Sequence, residues 1–90
     1  MTDEQLGRRW CQRNGKQPDY RPWHQRPDHP WRWVCDDGPV YGLPYVVTRE
    51  MGITRYETEA DAYAAVGAAL RALRQRAAEI AEVLVEVPSE

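Results

Sequence analysis

The feature that most constrains the fold is a long run of helix-forming residues near the C-terminal end of the chain. Thr58 precedes this run as an N-cap, and Glu59 and Asp61 complement the helix dipole in its first turn. Pro88 ends it. Its apolar residues alternate in spacings of three and four: Tyr63, Val66, Leu70, Leu73, Ala77, Ile80, Leu84 and Val87. This heptad spacing predicts one long helix over residues 58–87 with a single apolar seam.

A helix of this length exceeds what a small domain needs. It would span about 43 Å at a rise of about 1.5 Å per residue. A compact chain of 90 residues has a radius of gyration of only about 12 Å. In one interpretation, the first half of the helix covers a sheet and the second half packs on an N-terminal helix. In the other, residues 73–87 extend from the body and pair with a second copy or with a partner's helix.

The second interpretation predicts which residues form the helix pairing and in which direction. The expected seam consists of Leu73, Ala77, Ile80, Leu84 and Val87. Arg74 and Arg76 flank this seam and would repel each other in a parallel pair in register. An antiparallel homodimer is therefore favoured, because it could place these arginines near glutamates of the second copy.

The N-terminal region predicts a short helix followed by an irregular segment. Thr2 and Gln5 have the spacing of a capping box, and Asn14-Gly15 is a typical helix stop, so a helix is expected within residues 1–15. Four prolines follow in residues 16–30. Because each proline removes a backbone donor, no regular structure is expected there.

The middle of the chain predicts a small sheet. Alternating apolar residues, turn signals and bulge-forming residues indicate three antiparallel strands at about 31–35, 44–50 and 53–57. The expected fold class is thus α+β in a single domain of residues 1–90. It combines a three-stranded antiparallel sheet over residues 31–57 with a short N-terminal helix and one long C-terminal helix.

The order of the predicted elements is similar to that of a known class of DNA-binding domain. Strands followed by a capped helix, over residues 31–72, resemble the small sheet-and-helix domains near the termini of phage integrases. The resemblance rests on element order, and it assigns no functional residue in this chain.

Composition narrows the classes of partner. The net charge is −2, but residues 1–34 carry seven basic and four acidic side chains, whereas residues 35–90 carry five basic and ten acidic ones. The N-terminal third is therefore the part suited to contact an acidic surface. No apolar run is long enough to span a membrane, and no signal-peptide pattern is present. We expect a cytoplasmic protein without a membrane partner.

Cysteine and histidine spacing raises the question of a metal. Cys11, His24, His29 and Cys35 could supply the four ligands of a structural zinc site. The cysteines stand singly, without the close pair of a zinc knuckle, and a disulfide is disfavoured in the expected compartment. Free, buried cysteines and no cofactor are therefore the favoured prediction, with structural zinc as the alternative.

Arginine and tryptophan alternate between residues 21 and 33. The candidate partner-binding residues are Arg21, Trp23, Arg26, Trp31 and Arg32. Such residues anchor protein interfaces, but arginine with aromatic rings is also the composition of single-strand nucleic-acid binders. A third explanation is structural, since a chain without phenylalanine must use its tryptophans as core volume.

No complete catalytic motif occurs, so the sequence predicts a non-enzymatic protein-binding module. Small acidic chains of this type are common among phage accessory proteins. Those that inhibit host defence complexes, such as anti-CRISPR proteins, act by occupying a partner's surface. Nucleic-acid binding through the N-terminal third is the alternative function.

Overall fold

The fold is α+β, as predicted, with three helices and a three-stranded antiparallel sheet. The computed structural model of the protein describes residues 1–34 and 42–86, and side chains of the last helix up to Ala77. The elements are α1 (Asp3–Asn14), β1 (Asp19–Tyr20), β2 (Trp31–Arg32), α2 (Tyr45–Met51), β3 (Arg55–Tyr56) and α3 (Glu59–Glu86). The strands lie in the order β1-β2-β3.

Both predicted helices form, and their predicted caps are present. The Thr2 side chain accepts from the backbone N–H of Gln5, and the Gln5 side chain accepts from the N–H of Thr2, which completes the capping box of α1. Gly15 ends α1 in the left-handed conformation that glycine adopts readily. At the start of α3, the hydroxyl of Thr58 accepts from the N–H of Asp61 at 3.0 Å.

One predicted strand is wrong, because residues 44–50 are helical. Pro44, which suggested an edge strand, instead occupies the N-cap of α2, with φ of −56°. The β-branched residues at 46–48 favour a strand locally, but helical turns bury Val47 and Thr48 and half-bury Met51 against the body. Tertiary burial thus outweighs local propensity.

The other two predicted strands are shorter than expected, and a third lies in the segment predicted to be irregular. Trp31 pairs with Tyr20 and Tyr56, and Arg32 pairs with Asp19 and Arg55. β1 therefore forms within residues 16–30, where the prolines flank it without interrupting it. The resemblance to integrase domains does not hold, because α2 lies between β2 and β3.

α3 packs on α1 through its N-terminal half, which corrects the expectation that its second half would do so. An ion pair joins Asp3 to Arg71 at 2.8 Å, and another joins Arg8 to Glu59 at 3.5 Å, so the two helices run antiparallel. At their crossing, a Cβ on Gly7 would overlap the carbonyl of Tyr63, and one on Gly67 would overlap the carbonyl of Asp3. The glycines are therefore required for the close approach.

The core lies between α1, α2, α3 and the segment around β2. Its fully or nearly buried apolar residues are Cys11, Trp33, Leu43, Val47, Ala62, Val66 and Ala69. Trp33 also donates its indole N–H to the carbonyl of Ala62 at 2.9 Å, which joins the sheet side to α3. The radius of gyration, 15.5 Å, exceeds the value of about 12 Å for a compact chain of this length. Within the described ranges, no helix is long and apolar enough to cross a membrane.

Candidate protein-binding surface

The predicted arginine and tryptophan residues divide between structural and exposed roles. Trp31 is half-buried and packs edge-on against Tyr20, with ring centroids 5.0 Å apart. Arg32 is bound by Asp19 of the adjacent strand at 3.0 Å. Two of the five predicted contact residues thus stabilise the sheet. This supports the structural explanation for this part of the motif.

Trp23 is held by a residue that sequence reasoning did not single out. The guanidinium of Arg55 lies over the Trp23 ring, 5.0 Å from its centroid. Arg55 also donates to the carbonyls of Arg21 and His29 at 3.0 and 3.1 Å. A single side chain on β3 thereby fixes both ends of the proline-rich loop, which has few backbone donors of its own.

Arg21 and Arg26 are the exposed members of the predicted set. Arg21 lies 3.8 Å from Asp19 in a mostly solvated pair. Arg26 approaches the Nε2 atom of His29 at 3.3 Å. Both side chains are exposed to solvent, and their role in binding a partner stays a prediction.

Arg26 also lies on the rim of an open groove, here called the Ile53 groove. One wall is formed by the end of α2 and by residues 53–57, and the floor is the face of α3 that carries small side chains. The groove has a volume of about 620 Å³. Its α3 residues are Asp61, Ala65, Ala68, Ala69 and Ala72.

Ile53 is the most unusual residue of this groove. It is 67% exposed, the highest exposure among the large apolar side chains that the structure describes as exposed. The Tyr56 hydroxyl donates to the Ile53 carbonyl, and burial raises the pKa of Tyr56 to about 12. The backbone at Ile53 is thus held in place while its side chain faces solvent.

The rim of the Ile53 groove carries charges of both signs. Arg26, His29 and Arg55 lie on it with Glu50, Glu57 and Asp61. Glu50 is paired with Arg76 of α3. The groove combines an apolar floor with a polar rim, which is the usual anatomy of a protein-binding patch.

The predicted metal ligands lie in different surroundings. Cys11 is a free, fully buried thiol, and burial raises its pKa to about 12. His24 is exposed, and Cys35 lies outside the described residues. The disfavoured disulfide is not formed at Cys11.

His29 has two carboxylates nearby rather than the predicted cysteines. Its Nδ1 atom lies 3.0 Å from Asp28, and its Nε2 atom lies 4.0 Å from Glu57. Asp28, His29 and Glu57 are the one group with metal-ligand spacing among the residues that the structure describes. The two carboxylates approach opposite nitrogens of the His29 ring, and the guanidinium of Arg26 lies 3.3 Å from the Nε2 atom.

The predicted helix seam begins in contact with the core and continues past the last residue that packs there. Leu73 is half-buried against the core, whereas Ala77 is exposed. Ile80 and Leu84 belong to α3, but their side chains lie outside the described part, as does Val87 entirely.

Comparison with known proteins gives no relatives from which a function can be carried over. No protein-family model, curated protein or solved structure matches this chain.

Proposed function

We propose that the protein is a non-enzymatic protein-binding module that contacts its partner through the Ile53 groove. The observation that carries the proposal is the exposure of Ile53 beside an alanine floor. Leaving an isoleucine in water costs about 1.5–3 kcal/mol relative to burying it. A partner that covers Ile53 would recover this free energy.

The arginines support a partner with an acidic surface. Arg26 lies on the groove rim, and Arg21 adds a second exposed positive charge in the same loop. We propose that an apolar side chain of the partner enters the groove while a carboxylate contacts Arg26. Charges at the rim affect association rate and specificity more than affinity.

The proposed mode of action is occupation of the partner's surface. A bound module of this size blocks what the partner would otherwise contact, as in phage-encoded inhibitors of host defence complexes of the anti-CRISPR kind. The proposal includes self-association through α3, with the groove left free for the partner, and action within the cytoplasm.

The test is affinity capture from a bacterial lysate with wild-type protein and an Ile53→Glu variant. A protein recovered by the wild type, and then bound by it as a purified pair in calorimetry, should bind Ile53→Glu at least about tenfold more weakly. Gln12→Glu is the matched control, because it adds the same charge on the exposed surface of α1. Equal binding by Ile53→Glu and the control would show that the groove is not the contact surface.

Nucleic-acid binding is the second candidate, favoured by one observation. Tyr20 is largely exposed next to Arg21, so a base could stack on its ring while the arginine contacts a phosphate. Binding to DNA or RNA that weakens steeply with salt, and is abolished by Arg21→Ala with Arg26→Ala, would support it. No binding at low salt would refute it.

A further inference from the structure

The three-stranded sheet has two edges, and they differ in what they present to another chain. β1 forms one edge and β3 forms the other, because the strand order is β1-β2-β3. In an antiparallel pair, successive residues turn their N–H and C=O groups alternately towards and away from the neighbouring strand. A free edge therefore presents every second residue for hydrogen bonding with an added strand.

Prolines close the β1 edge. The N–H of Arg21 donates to the carbonyl of Pro30 at 2.8 Å, so Arg21 is turned towards β2 and Tyr20 is turned away from it. Pro18 and Pro22 lie two residues on either side of Tyr20, at the positions that would also be turned outwards. Neither proline carries an N–H, so an added strand would find few donors at this edge.

The β3 edge has no such block. The N–H of Trp33 donates to the carbonyl of Thr54 at 2.9 Å, which turns Thr54 towards β2 and Arg55 away from it. The next outward position is Glu57, and neither outward residue is a proline. Arg55 and Glu57 also line the Ile53 groove, so the free edge of β3 borders an open space.

The two faces of β3 determine which side chains suit an added strand. Successive side chains of a strand point to opposite faces of the sheet. Tyr56 and its paired residue Trp31 pack against the core. An apolar side chain therefore suits the position opposite Tyr56, beside the alanines of α3. Arg55 and Glu57 point to the other face, where charged side chains suit the opposite positions.

Arg55 retains the capacity to bind a carboxylate. Its Nη1 atom donates to the carbonyls of Arg21 and His29. Within the described residues, its Nε and Nη2 atoms have no hydrogen-bond partner, and neither Arg55 nor Arg26 forms an ion pair with a carboxylate. The side chain of Glu57 is 62% exposed and lies 4.0 Å from His29. An acidic residue thus suits the position opposite Arg55, and a basic residue suits the position opposite Glu57.

We propose that the partner contributes an extended segment that pairs antiparallel with β3 and becomes a fourth strand of the sheet. From its N-terminal end, this segment has a basic residue opposite Glu57, an apolar residue opposite Tyr56 and an acidic residue opposite Arg55. The backbone of the acidic residue exchanges hydrogen bonds with the N–H and C=O of Arg55. The inference rests on the proposed protein-binding function and names the part of the partner that enters the Ile53 groove.

Amide hydrogen exchange of the free protein, followed by NMR, is the first test. The N–H of Tyr56 is turned towards β2, whereas that of Arg55 is turned outwards. The Arg55 amide should therefore exchange at least about tenfold faster than the Tyr56 amide. Equal exchange rates would show that the pairing does not leave Arg55 free, which overturns the inference.

The second test uses the capped hexapeptide TKVETV, whose lysine, valine and glutamate take the three positions. At millimolar concentration it should shift the amide signals of residues 53–57 and slow exchange of the Arg55 amide. The matched control TEVKTV has the same composition with the charges exchanged, and it should bind about fivefold more weakly. A methyl group on the glutamate nitrogen of TKVETV removes the donor to Arg55 and should weaken binding at least about tenfold. Equal or tighter binding by either control would refute the proposed pairing.

Glu57→Lys tests the register, because it reverses the charge at one exposed position of the edge. It should weaken binding of TKVETV about fivefold, and TEVETV should bind this variant more tightly than it binds the wild type. If no peptide protects the Arg55 amide while Ile53→Glu still weakens the captured partner, the strand inference fails and the proposed function stands. Normal partner binding by Ile53→Glu would instead refute the proposed function, whatever the peptides do.

Discussion

α3 presents small residues on two sides, and the two sides are used differently. On the α1 side, Gly67 lies against the backbone of α1 and Gly7 lies against the backbone of α3. On the other side, the alanines of the Ile53 groove face an open space of about 620 Å³. One small-residue face is closed by a neighbouring helix, and the other is left open.

The difference shows that small residues do not by themselves indicate a contact. The α1 side is closed because a second helix lies against it, held by the ion pairs of Asp3 with Arg71 and of Arg8 with Glu59. The groove side has at its edge the end of α2, the residues around Ile53, and Arg26 and His29 of the proline-rich loop. We interpret the closed side as part of the folded core and the open side as the binding surface.

Gly67→Ala breaks the closed side and is expected to have the largest effect. Helix propensity alone would stabilise this variant by about 1 kcal/mol. The added Cβ overlaps the backbone of Asp3, however, and overpacking costs up to about 3 kcal/mol. We expect a net loss of about 2 kcal/mol in the free energy of unfolding, measured by urea denaturation.

Ala68→Gly is the control for that measurement. Ala68 is the next residue of the same helix and is exposed, so its replacement should cost only the propensity difference of about 1 kcal/mol. The decisive observation is whether Gly67→Ala lowers or raises the free energy of unfolding. Stabilisation by Gly67→Ala would show that the two helices do not approach closely.

The closed side also predicts how stability depends on pH. Cys11 of α1 is fully buried, and burial raises its pKa from 9.0 to about 12. Between these values the unfolded chain loses the thiol proton and the folded chain keeps it, so the folded state binds more protons. The contribution of Cys11 is therefore complete below pH 9 and is lost as the pH rises towards 12.

Urea denaturation in a Cys35→Ser background, from pH 8 to pH 11, measures this contribution. Cys11→Ala in the same background is the control, because it removes the titrating group and should show a shallower decline. Tyr56 also has a raised pKa and therefore contributes to the pH dependence of stability. Because both proteins contain Tyr56, this contribution cancels in the comparison. Parallel declines would show that water reaches Cys11.

The two helices of the closed side were predictable from the sequence, but the place where they contact each other was not. α1 and α3 have N-terminal caps and regular apolar spacing. Each of these signals depends on residues that lie only a few positions apart in the sequence. Helix propensity disfavours Gly7 within α1, and only the crossing with α3 explains its presence. The close approach of the α1 and α3 backbones joins residues that are far apart in the sequence, so it leaves no pattern that can be recognised within either segment.

The open side was not predictable. Its groove joins Arg26, Ile53 and the alanines of α3, which are far apart in the chain. The predicted strand at 44–50 would have removed α2, and with it one wall. Residues 46–48 carry β-branched side chains that favour a strand, and only the burial of Val47 and Thr48 against the core selects the helix. Exposure of Arg21 and Arg26 was the part of the site that charge alone indicated.

Ala68→Leu tests the difference between the α1 side and the groove side of α3, and it is the variant with the smallest expected change in stability. Ala68 is exposed on the groove floor, and leucine is nearly as good a helix former as alanine. The free energy of unfolding should therefore stay within about 0.5 kcal/mol of wild type. The longer side chain fills space that the partner is proposed to enter, so partner binding should fall at least about tenfold.

Calorimetry with the captured partner measures this binding, and Gln12→Leu on α1 is the control for an added surface leucine. Because α1 lies on the other side of α3, the control should bind normally. A large loss of stability in Ala68→Leu would mean that the groove is closed in solution, like the α1 side. Unchanged stability with unchanged binding would leave the groove open but unused. Only unchanged stability with lost binding separates the two faces of α3 into one that holds the fold and one that receives a partner.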